Sequence, residues 1–187
     1  MSPDIRFLRL EGVAEITPSR IGDQRGFFSE TWNARDLHAA GITLDFVQDN
    51  HSRSSERGVL RGLHFQLPPY AQDKLVRVTR GAIFDVAVDI RRESPTFAQW
   101  VAVEISAASW NQLLVPKGFA HGFVTLQPDT EVIYKTTSHY APEYDRAIRF
   151  DDPDISIAWP IPAADLILSD RDRHAPQLRQ AEVFEWA

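Results

Sequence analysis

The chain reads as an all-β protein, a sandwich, jelly roll or barrel. Three observations point there. Apolar and polar residues alternate with a period of two through the middle of the chain. Proline and glycine turns interrupt that alternation at short intervals. Only one segment carries convincing helix signals.

Residues 1–45 are expected to hold a strand or two and that helix. Asn33 is its cap, Asp36 stands three positions later and Gly41 closes it. Strands follow at 59–67, 74–80, 82–90, 100–106, 121–126 and 131–138. Their boundaries are the turns Pro68-Pro69, Arg80-Gly81, Ser94-Pro95, Pro116-Lys117-Gly118 and Gln127-Pro128-Asp129. In the strand 82–90, Phe84, Val86, Val88 and Ile90 share one face, and Asp85 and Asp89 share the other. Residues 151–187 contain Pro153, Pro160, Pro162 and Pro176, so they should wrap the β core as irregular structure. With no internal repeat and no linker, residues 1–187 are expected to form one domain.

Bulk properties narrow the function. Of the 187 residues 43% are apolar and 25% charged, an ordinary globular balance with no low-complexity run. A net charge of −6 gives no electrostatic footprint for nucleic acid. The absence of cysteine excludes disulfides, thiolate metal sites and a cysteine nucleophile, and fits a cytoplasmic protein. No signal peptide is expected in MSPDIRFLRLEG. No stretch approaches the roughly 20 apolar residues of a membrane span.

Strand parity brings the chemically active side chains together. His64 shares a face with Gly62 and Gln66, His121 with Phe123 and Thr125, and Tyr134 with Val132 and Thr136. If those faces line the interior, His64, His121 and Tyr134 converge on one cavity, the usual form of a ligand site. Arg61 has the wrong parity for the His64 face and needs a bulge or a strand end to join it. Singly, each residue has an ordinary structural reading: a hydrogen-bonded strand histidine, a core tyrosine, a solvated Lys74, a surface Asp172. His64 and His121 could also be two ligands of a metal. Against that, residue 66 is Gln where a His-x-His pair needs His, and no carboxylate nearby has ligand spacing.

Ordered blocks along nearly the whole chain carry more information than any one residue. They include Gly22-Asp23-Gln24-Arg25-Gly26-Phe27-Phe28-Ser29-Glu30, Phe46-Val47-Gln48-Asp49-Asn50-His51-Ser52 and Leu60-Arg61-Gly62-Leu63-His64-Phe65-Gln66. They continue with Lys74-Leu75-Val76-Arg77-Val78, the strand Phe84 to Arg91, Pro116-x-Gly118-Phe119-Ala120-His121-Gly122-Phe123, Tyr134-Lys135, and Asp152-Pro153 with Trp159-Pro160. In these blocks the chain resembles the dTDP-4-dehydrorhamnose 3,5-epimerases, cupin-like enzymes of nucleotide-sugar metabolism.

The resemblance implies a cupin-type jelly roll, or double-stranded β-helix, with an N-terminal strand and helix arm. It implies a homodimer acting on a dTDP-4-keto-6-deoxyhexose, with no metal, nicotinamide or other cofactor. By the same resemblance His64 is the general base and Asp172 its carboxylate partner. Tyr134 is the acid on the opposite face of the sugar, and Lys74 stabilises the enolate oxygen. Arg25, Phe28, Glu30, Gln48, Asp49, Asn50, Arg61, Lys74, His121, Asp145 and Arg171 match positions that hold substrate.

These residue types suit the reaction. A C4 ketone acidifies the hydrogens on C3 and C5, and a neutral imidazole can remove one near pH 7. Inversion then requires a second acid to return the proton from the other face. Arginine forks suit a pyrophosphate. Three positions depart from the family's habit. Asp145 stands where Glu is common and Arg171 where Lys is common, and His139 lies where many members carry an aromatic ring near the base-binding end. Within the family the alternative is a single-centre epimerase of a related dTDP-4-keto-deoxysugar. Outside it the alternatives are a non-catalytic sugar-binding cupin and a metal-dependent cupin oxygenase.

Overall fold

The alternating segments pair into two antiparallel sheets that pack face to face, in a computed structural model that describes residues 2–185. In chain order the strands are β1 (Asp4–Phe7), β2 (Ala14–Thr17), β3 (Ile21–Asp23), β4 (Gly26–Phe28), β5 (Gln48–Ser54), β6 (Leu60–Gln66) and β7 (Lys74–Arg80). Then come β8 (Ala82–Asp89), β9 (Trp100–Ser106), β10 (Gln112–Val115), β11 (Phe119–Thr125), β12 (Thr130–Thr136) and β13 (Asp145–Ala147). Helix α1 spans Ala34–Ala39 and the one-turn α2 spans Asp170–Arg173. One sheet has the order β1-β2-β10-β7-β12-β5 and the other β13-β6-β11-β8-β9, while β3 and β4 form a separate hairpin. This is the expected jelly roll.

Between the sheets lies an apolar core. Val76, Val78, Leu113, Val115 and Val132 from the first sheet meet Ile83, Ala87, Val101, Ile105, Phe119 and Phe123 from the second. The outer face of the first sheet is closed by the α1 region, where Leu37 and Ile42 pack on Ile16, Leu75 and Leu114. The outer face of the second is closed by the C-terminal wrap, where Ile148, Ile155, Leu178, Val183 and Phe184 cover Leu63, Phe65, Val86, Val88 and Ile90. Both faces of β8 are therefore buried. Its apolar stripe faces the wrap, and its aspartates point into the sandwich with no exposed surface.

Each strand expected in the middle of the chain is present, with ends shifted by at most two residues. The helix is as expected: the Asn33 side chain accepts from the Arg35 N–H (3.1 Å), and Gly41 follows at φ +83°. Strands β5, β10 and β13 and the turn α2 add to the expected elements, and residues 1–45 hold four strands, β1 to β4, where one or two were expected. β5 is polar throughout, β10 is a short run without alternation, and α2 is the four-residue segment Asp-Arg-Asp-Arg. Among the described residues no helix is long and apolar enough to cross a membrane.

Candidate active site

One end of the sandwich is filled by the apolar core, and the other holds a cavity of about 660 Å³ between the sheets. Strand β5 contributes Gln48, Asn50 and Ser52 to its wall, β7 contributes Lys74 and β12 contributes Tyr134. From the second sheet come Arg61, His64 and Gln66 on β6, and His121 and Phe123 on β11. Asp145 on β13 and Ser169, Arg171 and Asp172 around α2 close one side.

Arg61 and His64 reach the same cavity because β6 carries an extra residue. The pairing runs His121 to His64 and then Phe123 to Arg61, so two residues of β6, Gly62 and Leu63, oppose one of β11, Gly122. The extra residue falls beside Gly62, whose φ is +137°, and a Cβ there would sit 2.5 Å from the Gly122 Cα. Two glycines facing each other thus permit the bulge that turns Arg61 inward.

His64 and Asp172 come from distant parts of the chain. His64 Nε2 lies 2.5 Å from Asp172 Oδ1, with the histidine side chain 29% exposed and the aspartate 4%. Ser169 caps α2: its Oγ accepts from the Asp172 N–H (3.1 Å) and donates to Asp172 Oδ2 (2.8 Å). Burial pushes the Asp172 carboxyl up, but the hydrogen bond and charge of His64, together with Ser169 and Arg171, outweigh it and hold it below the usual carboxylate range. An ionised Asp172 takes the Nε2–H and leaves Nδ1 as the basic nitrogen of the ring.

Lys74 is buried, and its Nζ donates to the His64 carbonyl (3.3 Å). Burial lowers its pKa to about 8, against the pull of the Asp145 and Asp85 carboxylates. Burial also raises the Tyr134 phenol, with the Arg61 cation acting in the opposite sense and Asp145 in the same. Tyr134 therefore keeps its proton at neutral pH. A second histidine–carboxylate pair, His121 Nε2 to Asp85 Oδ1 at 2.6 Å, is almost wholly buried.

The mouth of the cavity is rimmed by a polar chain. Gln48 Nε2 donates to Asn50 Oδ1 (2.9 Å), and Gln48 Oε1 accepts from the Tyr140 N–H (3.0 Å). The Tyr140 hydroxyl donates to Asp145 Oδ2 (3.1 Å), whose other oxygen pairs with Arg171 (2.8 Å). Tyr140, not His139, is the aromatic ring on the cavity wall. The sequence reading was one position off because the 138–141 loop, outside any strand, has no parity to fix which side chain turns inward.

Four residues expected to hold substrate lie elsewhere in the single chain. Asp49 is on the opposite face of β5 from Gln48 and Asn50, where period-two alternation puts it, and its carboxylate pairs with Lys135 (3.0 Å). Arg25 and Phe28 are exposed on the β3–β4 hairpin, with Arg25 bound to Asp23 (2.5 Å), and Glu30 follows that hairpin outside the cavity. Asp85, Gln66 and Tyr140 belong to the site and were not singled out for it. Asp85 lies opposite the apolar stripe of β8, and alternation alone does not say which of those faces is inward.

Among the described residues no group of three or more His, Asp or Glu side chains is placed to hold a metal ion. The cavity combines a histidine held by a carboxylate, a protonated phenol, a buried lysine and arginines. That is a set for moving protons on an anionic carbonyl compound.

Comparison with known proteins agrees. The family described as dTDP-4-dehydrorhamnose 3,5-epimerase matches residues 8–180. The dTDP-4-dehydrorhamnose 3,5-epimerase of Pseudomonas aeruginosa is 51% identical over 95% of this chain and 97% of its own length. The Escherichia coli enzyme of the same description is 54% identical over 87% and 88%. Among solved structures, a dTDP-6-deoxy-D-glucose-3,5-epimerase from Legionella pneumophila in complex with dTDP-4-keto-L-rhamnose superposes with a TM-score of 0.93 at 43% identity, covering 99% of each chain. On motif, fold and cavity alike, the chain belongs to the dTDP-4-dehydrorhamnose 3,5-epimerase family of isomerases.

Proposed function

We propose that this cavity inverts C3 and C5 of dTDP-4-dehydro-6-deoxy-D-glucose, giving dTDP-4-dehydro-L-rhamnose for dTDP-L-rhamnose synthesis, with His64 as base and Tyr134 as acid. The observation that carries the assignment is the His64–Asp172 pair facing the same cavity as the protonated Tyr134 and the buried Lys74. The neutral imidazole removes the proton beside the C4 ketone, and Asp172 stabilises the imidazolium that forms. Charge moves onto O4, where the Lys74 ammonium meets it in a site shielded from water. Tyr134 then protonates the carbon from the opposite face. Exchange with solvent returns a proton to the phenolate and removes one from His64, and the same pair serves the second centre. Arg61 supplies a fork for the pyrophosphate, and the Tyr140 ring at the mouth faces the nucleotide base.

A second copy of the chain completes the site in this reading. The β3–β4 hairpin exposes Ile21, Phe27 and Phe28 at 55%, 55% and 64%, an apolar surface that a symmetric partner would cover. A hairpin laid over the partner's cavity mouth would bring Arg25, Phe28 and Glu30 to the nucleotide.

Proton NMR of the 4-keto substrate with the protein in D₂O tests the chemistry. Deuterium should enter both C3 and C5, with the L-lyxo product trapped by a reductase. Exchange at one position would instead mark a single-centre epimerase, and no exchange at either would refute the assignment.

A further inference from the structure

Gln66 stands two positions after His64 on the same face of β6, where a metal-binding His-x-His pair would place its second ligand. Its side chain is almost wholly buried, and its whole amide is committed to backbone. Nε2 donates to the Tyr70 carbonyl (2.7 Å) and to the His139 carbonyl (3.1 Å), and Oε1 accepts from the Ala141 N–H (2.8 Å). One side chain therefore grips the chain immediately before and immediately after Tyr140. The intervening Tyr140 N–H is held from the other sheet by Gln48. Tyr140 itself is 58% exposed.

We propose that Gln66 is a positioning residue for nucleotide binding: it fixes the 138–141 segment so that the Tyr140 ring is set at the cavity mouth before ligand arrives. An aromatic on an unfixed loop loses conformational entropy when it closes on a base, and prior ordering removes that cost from binding. Only a primary amide of this length offers two donors and an acceptor to these three backbone groups. Methionine fills the space and satisfies none of them, and glutamate keeps the acceptor and loses the donors. The inference rests on the nucleotide-sugar reading above for its ligand, and on the hydrogen bonds alone for its geometry.

The test is a double-mutant cycle on dTDP binding by calorimetry, with Gln66→Met, Tyr140→Ala and the pair, joined to amide hydrogen exchange of the ligand-free protein. Gln66→Met should weaken dTDP about tenfold, the scale of one or two lost ordering hydrogen bonds, and change kcat at saturation by less than about threefold. Exchange at Ala141 should quicken, and Gln66→Met should add little once Tyr140 is alanine. Gln66→Glu, which retains the Ala141 contact, should give a smaller loss and serves if the methionine variant folds poorly. Additive losses in the cycle, unchanged dTDP affinity, or a fall in kcat with affinity intact would each overturn the inference. Failure of the unaltered protein to bind dTDP would refute the nucleotide reading separately. Unchanged exchange at Ala141 in Gln66→Met would overturn the positioning role whatever the ligand.

Discussion

The cavity contains two histidine–carboxylate pairs built in opposite ways. His121 and Asp85 lie on adjacent strands β11 and β8, with side chains 7% and 0% exposed. His64 and Asp172 join a strand to a one-turn helix 108 residues further along the chain, and the His64 side chain is 29% exposed. The first pair is part of the sheet, locked by its ladder and closed to solvent, and suits a fixed group that orients a ligand. The second leaves its imidazole open to the cavity and seats only the carboxylate in protein, which is what a base needs to meet substrate and shed protons. Pairs of similar length thus differ in exposure, and that difference suits them to different tasks.

The sharpest break of that contrast is His64→Ala, which should lower kcat by about 10²- to 10⁴-fold, the usual reach of general acid–base catalysis, while dTDP binding by calorimetry stays near its original strength. A matching loss of affinity would make His64 a binding group rather than a base. Next come the two carboxylates. Asp172→Asn should cost roughly 10- to 100-fold in kcat through loss of a charge-assisted hydrogen bond, and Asp85→Asn should act mainly on KM. Equal kcat losses in steady-state assays would erase the contrast between the two pairs.

Lys74 sharpens the comparison through pH. Its pKa of about 8 predicts that kcat/KM falls as pH rises past about 8, because the enolate then loses its cation; Lys74→Met should lower activity and remove that limb. Stability moves the other way. The folded pKa of about 8 lies below the ordinary 10.5, so between those values the unfolded chain binds more protons and stability rises with pH. Below about pH 8 the buried charge is a constant cost of roughly 3 kcal/mol at most, and Lys74→Met should raise the Tm measured at pH 7. The smallest effect is expected at Asp49, whose exposed pair with Lys135 faces away from the cavity. Asp49→Ala should leave KM and kcat within about twofold, and a large rise in KM would return it to the substrate contacts.

The strands with alternating side chains were legible because one buried face imposes a period of two. β5 was hidden because its sequence, Gln-Asp-Asn-His-Ser-Arg-Ser, has no apolar face: half of it lines a polar cavity and half meets solvent. β8 shows a subtler limit. Its stripe Phe84, Val86, Val88 and Ile90 was visible, but periodicity says that two faces differ and not which one looks into the sandwich. The inward aspartates became readable only when the wrap was seen covering the apolar side. Parity also anticipated that Arg61 needs a bulge or a strand end to join the His64 face, and the register shift in β6 is the bulge. Arg25 and Phe28 were legible only by family resemblance, since a single chain gives them no place in the cavity.

The C-terminal wrap has one more consequence. It covers the second sheet and also delivers Asp172 to His64. Strands through β12 carry His64, Lys74 and Tyr134, but with the wrap undocked Asp172 is away from His64. The imidazole then has no carboxylate to fix its tautomer. On the proposed mechanism, full proton-transfer competence therefore depends on the docking of the wrap as well as on the strands that carry the other groups.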